Sequence, residues 1–321
     1  MPLLDLGAAL AIAFSFFTII YLTGLGGLFS ERSGIVNIGL EGLMIVGTVM
    51  GSWGSIRWGP VVGLLVGAGA GVLFAMVHAL ATVTFRVDHI VSGVVINLVA
   101  VGLARFLSSN FFGSATQSTS GVPTLGKISI PLLESIPWGL GRAFERLSPI
   151  TIVAFLMAIP ILFVLNRTRF GLRLRSAGEN PEATRTLGVR VKPLRYAGVG
   201  ISGLLAGFSG AFLAIEVNQL YQEGQTQGLG FIALAALILG NWKPLRVMAG
   251  AMLFGFAAAV PLRLSSYLQD IPIWPGVHFG IPEQFIRMIP FIVTIVAIAG
   301  FVGRVRPPAA AGKAYEGGGT L

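Results

Sequence analysis

Asn166–Arg195 reads NRTRFGLRLRSAGENPEATRTLGVRVKPLR, with eight Lys and Arg in thirty residues and apolar runs on both sides. A basic loop between apolar runs marks a chain that passes from water into lipid and back, with its Lys and Arg kept on the cytoplasmic side. Inside the loop, Gly178-Glu179-Asn180-Pro181-Glu182-Ala183 reads as a helix start. Asn180 can cap, Pro181 suits the first helical position, and Glu182 suits the positive end of the helix dipole. The helix is expected to run to about Leu187 and to end at Gly188, a C-terminal glycine. A plain tether needs no caps, so the loop reads as a docking element for a partner.

Composition agrees with a membrane solvent. Of 321 residues, 54% are hydrophobic and only 11% charged, against roughly 25% charged in an average soluble domain. Mean hydropathy is +0.83. The 44 glycines sit largely within apolar runs, where they let transmembrane helices approach closely. There is no cysteine, which excludes disulfides, thiolate chemistry and cysteine metal sites. The net charge of +9 is membrane orientation rather than nucleic-acid binding, because the bases cluster between spans. No cleavable signal peptide is evident at the start.

A span needs about 20 mostly apolar residues. Nine candidates lie near 8–28, 34–53, 60–84, 89–108, 149–166, 196–215, 229–241, 246–262 and 286–303. The expected fold is an all-α polytopic bundle of about nine spans, eight to ten, with one short cytoplasmic helix. The candidate at 229–241 is short and reads as re-entrant or half-length. With 167–195 placed in the cytoplasm, alternation puts fifteen of the 22 bases inside, among them Arg32, Arg86, Lys243, Arg246, Arg304, Arg306 and Lys313. Six fall outside: Arg57, Lys127, Arg142, Arg146, Arg263 and Arg287. This bias predicts an extracytoplasmic N-terminus and a cytoplasmic C-terminus, in the cell membrane. Residues 1–306 form the membrane domain, and 307–321, rich in Pro, Ala and Gly, reads as a disordered cytoplasmic tail. In the outer loops, Ile136–Leu147 looks amphipathic, and 263–285 is rich in Pro, Trp and Gly.

Few polar residues enter the spans. Asn37 and Glu41 sit four apart, on one helix face. A carboxylate there costs at least about 2.5–3.5 kcal/mol unless it is protonated, paired or wetted. It either lines a polar pathway or locks helices together, and the residues leave both open. Asn97 lies near mid-span, where a buried Asn needs a partner, either another helix or a passing solute in the pathway. Asp88 reads as a helix cap. Glu216 and Asn218 end a span at the outer side, where they would meet either a polar solute or plain water.

GLGGLFSERSGIVNIGLEGLMIVG (Gly24–Gly47), FGLRLRSAGENPEATRTLGV (Phe170–Val189) and GISGLLAGFSGAF (Gly200–Phe212) together resemble permease subunits of ABC importers of the branched-chain amino acid, ribose and simple-sugar type. The resemblance is greatest to the nucleoside and simple-sugar branch. It implies half of a translocation pathway, shared with a second permease, usually a similar but distinct chain. It further implies two ATPase subunits that bind the ATP, an extracytoplasmic solute-binding protein, and no cofactor or metal in this chain. By this resemblance the helix spanning Gly178, Glu179, Asn180, Pro181, Glu182, Ala183 and Gly188 is the coupling helix that meets an ATPase. The solute it implies is a nucleoside first and a simple sugar second.

Two other readings compete with it. Gly207-Phe208-Ser209-Gly210 matches the G-x-S-G of rhomboid-like proteases, but that chemistry needs a histidine base from another span. His78 and His89 lie at inner ends and His278 in an outer loop, so small-residue packing is the better reading. An ion-coupled carrier would show several intramembrane acids or broken helices, and Glu41 alone qualifies clearly. No Walker A motif occurs, so any ATP hydrolysis belongs to a separate subunit.

Overall fold

The computed structural model describes residues 6–137, 140–268, 271–274, 277–301 and 305–315. The first half of the chain holds α1 (Leu6–Arg32), α2 (Leu40–Trp58), α3 (Pro60–Ala79), α4 (His89–Phe112) and the short α5 (Pro131–Glu134). The next segment is α6 (Pro149–Leu156), α7 (Ala158–Arg167), α8 (Arg169–Glu179) and α9 (Pro181–Thr186). Then come α10 (Val191–Phe212), α11 (Leu229–Leu239), α12 (Pro244–Leu268), α13 (Glu283–Arg287) and α14 (Ile289–Phe301). Between α12 and α13 lies an antiparallel hairpin of β1 (Ile271–Trp274) and β2 (Val277–Phe279), pairing Ile271 with Phe279. The expected all-α fold is therefore helical apart from this hairpin. Ile, Trp, Val and Phe favour extended backbone there.

Among the described residues, six helices are long and apolar enough to cross a membrane, namely Gly7–Arg32, Pro60–Thr84, His89–Phe112, Pro149–Arg167, Val191–Val217 and Pro244–Leu262. The candidate at 149–166 is broken at Met157, because Pro160 has no N–H to give to the Leu156 carbonyl. The candidate at 34–53 begins its helix only at Leu40. Gly34 at φ +98° and the Asn37 Oδ1 bond from Gly39 N (3.0 Å) turn the chain before it. α11 and the stretch Gln284–Ala297 are shorter apolar helices. The 11 residues of α11 rise about 16 Å, half of a hydrocarbon core about 30 Å thick.

α1 and α10 form the buried centre, while α4 leaves Val94, Val95, Leu98 and Phe106 exposed. The α2–α3–α10 junction closes on glycine. A Cβ on Gly47 would stand 2.2 Å from the Gly207 carbonyl oxygen, and one on Gly207 2.4 Å from that of Gly67. Helices this close gain dispersion contacts along their backbones that no larger residue permits. Between α5 and α6, residues of 136–147 pack back on the bundle: Ala143 and Leu147 are buried with Phe14, and the Phe14 and Phe144 rings lie 5.6 Å apart.

The stretch 307–315, expected from composition to be disordered, is tied down. Ala310 N donates to Gly178 O (2.8 Å), Gly312 N to Gly34 O (3.2 Å), and Arg195 Nη1 to Lys313 O (3.1 Å). All three engage backbone atoms of this stretch, to which composition is blind. Residues 316–321 lie outside the described residues.

Candidate functional site

α8 and α9 occupy one end of the bundle and a polar cavity the other. At the first end, Asn180 caps α9, its Oδ1 accepting from Ala183 N at 3.0 Å, and Pro181 takes the first position. The helix ends at Leu187, and Gly188 follows at φ +76°. Thr184 is buried, its hydroxyl 2.6 Å from Ser176 Oγ, so α9 is pinned to α8. Gly178 is buried where a Cβ would stand 2.3 Å from Arg32 O. Glu179 faces the bundle's own groups: Arg32 Nη1 is 3.6 Å from Oε1, and Ala309 N donates to Oε2 at 3.2 Å. Glu182, Ala183, Arg185, Thr186 and Leu187 are exposed, Leu187 by 79%.

Of the intramembrane polar groups, three hold chain to chain. Asn37 is fully buried and donates to Ser202 Oγ at 3.0 Å. Asn97 accepts from Gly42 N (2.7 Å) and donates to Ile38 O (3.1 Å), clasping the turn before α2. Glu41 Oε1 accepts from the Thr226 hydroxyl (2.6 Å) and Gly228 N (2.9 Å), and its Oε2 from Gly230 N (2.7 Å). It thus caps the N-terminus of α11, where a carboxylate answers both the orphan amides and the dipole.

The same loop also borders a cavity. Gln225, Gln227 and Leu229 line a half-open cavity of about 860 Å³ at the end remote from α9. Glu216 and Asn218 are on its wall, brought there by a π-helical turn, Leu213–Val217, that prolongs α10. Such turns occur often at functional sites. Phe16 on α1, Phe291 on α14, and Lys127, Arg142, Glu145 and Arg146 from the long loop complete much of the lining. The cavity falls within the range of small-molecule sites, roughly 300–1,000 Å³, and mixes apolar walls with a few polar groups as such sites do. Arg105 on α4 pairs with Glu223 of the segment 218–228, between α10 and α11.

Of the five residues singled out as pathway candidates, Glu216 and Asn218 are among the residues lining the cavity, and Asn37, Glu41 and Asn97 are not. Glu216 is 1% exposed, so it is no helix end in water. Gln225 and Gln227 escaped the sequence reading because nothing in QEGQTQG shows that the segment folds back into the bundle. The only available sign was the shortness of 229–241.

Ser209 is buried and donates to the Ile19 carbonyl at 2.9 Å. His78 is turned to Ser92 and the Val36 carbonyl at the other end of the bundle. The side chain of His278 lies outside the described residues. Ser209→Ala is expected to leave transport within about twofold of the parent, since it removes one neutral hydrogen bond. Complete loss of transport in a normally assembled complex is the contrary result.

A model of the branched-chain amino acid transport system permease component matches residues 9–298. The guanosine ABC transporter permease NupQ of Bacillus subtilis is 41% identical over 92% of each chain. The nucleoside ABC transporter permease NupC of Lactococcus lactis is 40% identical over 93% of each. TsgC13 of Haloferax volcanii, provisionally a glucose ABC transporter permease, is 37% identical over 88% of each.

Proposed function

The chain belongs to the permease family of branched-chain amino acid transport systems, and from that premise we propose that it carries nucleosides, as half of the pathway of an ATP-driven importer. The observation that carries this reading is its likeness, over nine-tenths of its length, to two permeases named for guanosine and nucleosides. The cavity suits it, being large enough for a nucleoside and lined by carboxylate, amide and aromatic groups. Its half-open side is where a second permease would complete the pathway.

On this reading nine segments cross or enter the membrane: the six long helices, α2, α11 and α14. The bias of Lys and Arg puts α8 and α9 in the cytoplasm and the cavity toward the outside, facing a solute-binding protein. α9 meets an ATPase subunit, one of two that bind ATP, through its exposed side chains. Gly178 and Glu179 anchor the base of that element, so ATPase motion reaches α1 through Arg32.

Uptake of labelled guanosine and labelled glucose by cells carrying the complete transporter tests the substrate. Saturable guanosine uptake is expected, and glucose uptake without guanosine uptake refutes it. Ala183→Arg with Leu187→Asp tests the docking. Neither side chain is buried, so folding should be kept, while copurified ATPase and uptake each fall at least tenfold. ATPase that copurifies at the parental level places the docking surface elsewhere.

A further inference from the structure

Residues 305–315 lie across the α9 end of the bundle and are fastened at four places. Arg306 N donates to Asn241 Oδ1 (3.1 Å), between α11 and α12. Ala309 N and Ala310 N donate to Glu179 Oε2 (3.2 Å) and Gly178 O (2.8 Å), at the end of α8. Gly312 N donates to Gly34 O (3.2 Å), in the turn that opens onto α2. On α10, Arg195 Nη1 donates to Lys313 O (3.1 Å), and its guanidinium stands 5.5 Å from the centre of the Tyr315 ring. That ring is buried with Ala177 of α8 and Val191 of α10. Arg195 is 1% exposed, and among the described residues no carboxylate pairs with it. A buried charge needs partners, and here the segment supplies them, as a carbonyl and a ring face.

We propose that 305–315 is a tension strap that makes α8–α9 and the start of α2 move as one body, so that an ATPase bound at α9 draws the pathway back as well as pressing it forward. This rests on the reading above that α9 meets an ATPase. α9 is pinned to α8 by Thr184 and Ser176. α8 in turn abuts the approach to α2 through Gly178, where a Cβ would stand 2.3 Å from Arg32 O and 3.2 Å from Gly34 N. A packing contact passes a push but not a pull, because nothing holds the two surfaces together as they separate. The Arg32–Glu179 pair, 3.6 Å apart with the Glu179 side chain 52% exposed, adds little hold. The strap is bonded to Gly178 through Ala310 and to Gly34 through Gly312, and a continuous chain bonded on both sides carries tension. Past Gly34 the chain reaches Glu41, which caps α11 and the loop that borders the cavity. Tyr315 and Arg195 fix the far end of the strap to α10.

The test uses the complete transporter, reconstituted in vesicles with its second permease, ATPase subunits and binding protein. Guanosine uptake and ATP hydrolysis are measured together. One variant ends after Arg306. In Gly312→Pro the N–H that bonds Gly34 is gone, and the proline ring holds φ negative where this residue has +78°. A third chain, ended after Tyr315, keeps the strap and serves as the control. The first two are expected to copurify ATPase as the parent does and to hydrolyse ATP within about twofold of it, yet to carry roughly tenfold less guanosine per ATP, within the range of coupling between linked sites. The control should match the parent. Should the chain ended after Arg306 fail to assemble, Gly312→Pro decides alone.

A parental ratio of guanosine to ATP in the assembled variants overturns the proposal. So does a loss of assembly in both, or a fall of uptake and hydrolysis in equal proportion, which is what a structural role alone would give. A loss in the control as large as in the chain ended after Arg306 assigns the effect to 316–321 and overturns it too. Failure of the docking reading looks different: Ala183→Arg with Leu187→Asp then keeps its ATPase with the strap intact. If the unaltered complex takes up no guanosine, the substrate reading fails, and stimulation of ATP hydrolysis by the binding protein becomes the readout. Parental stimulation in both strap variants then overturns this inference.

Discussion

Glu41→Leu is expected to abolish uptake and to lower the thermal stability of the protein by several kcal/mol. Glu41 is 7% exposed and accepts three hydrogen bonds, from the Thr226 hydroxyl and the amides of Gly228 and Gly230. Leucine leaves all three donors without this acceptor, the Thr226 hydroxyl and Gly230 amide fully buried and the Gly228 amide partly so, at about 1–3 kcal/mol for each buried donor. It also removes the charge that faces the helix N-terminus, worth about 0.3–2 kcal/mol. The loss of function follows from geometry: with the cap gone, the segment carrying Gln225 and Gln227 loses its placement on the cavity. Glu41→Gln should fall between, since its carbonyl oxygen still serves Thr226 and Gly228 while its NH₂ group meets the Gly230 amide donor to donor. Uptake per assembled complex and the melting midpoint in detergent are the measurements. Parental uptake by assembled Glu41→Leu protein would reduce Glu41 to a scaffold residue without influence on the pathway.

Gly207→Val is expected to leave little or no folded protein. A Cβ at this position would lie 2.4 Å from Gly67 O and 2.8 Å from Gly71 Cα. Both are backbone atoms of α3, which cannot rotate aside as a side chain can. α2 also approaches within this junction, where a Cβ on Gly47 would meet the Gly207 carbonyl at 2.2 Å. Two helices would have to part, which exceeds the roughly 1–3 kcal/mol typical of overpacking. Gly69→Val is the control, on the exposed side of α3, where an added Cβ meets nothing within 4 Å. Size-exclusion profiles and melting midpoints compare the two. Equal yield and equal midpoints would show that the α3–α10 contact is looser than the structure has it.

Both predictions start from residues visible in the sequence, but they differ in what the sequence said about them. The glycines at 207 and 210 already read as small-residue packing, because small residues at helical spacing have few other uses in a membrane. Glu41 was equally visible, yet its two readings could not be separated. Deciding between a pathway and a lock needs to know what lies opposite, and its partners are 185 to 189 residues away in the chain. The tail at 307–315 shows the same limit: composition describes side chains, and that segment is held mainly through its backbone.

The sequence by itself determined the membrane class, the position of nearly every apolar helix and the capped helix at 181–186. All of these depend on hydropathy over about 20 residues or on contacts within one or two turns, so neighbouring residues suffice to specify them. Only the tertiary structure decided that the chain folds back at 218–228, that Glu41 caps α11 from another helix, and that Glu216 and Gln225 share a cavity wall. Those facts arise from hydrogen bonds between residues far apart in the chain, and a buried donor donates to whichever acceptor the packing brings to it.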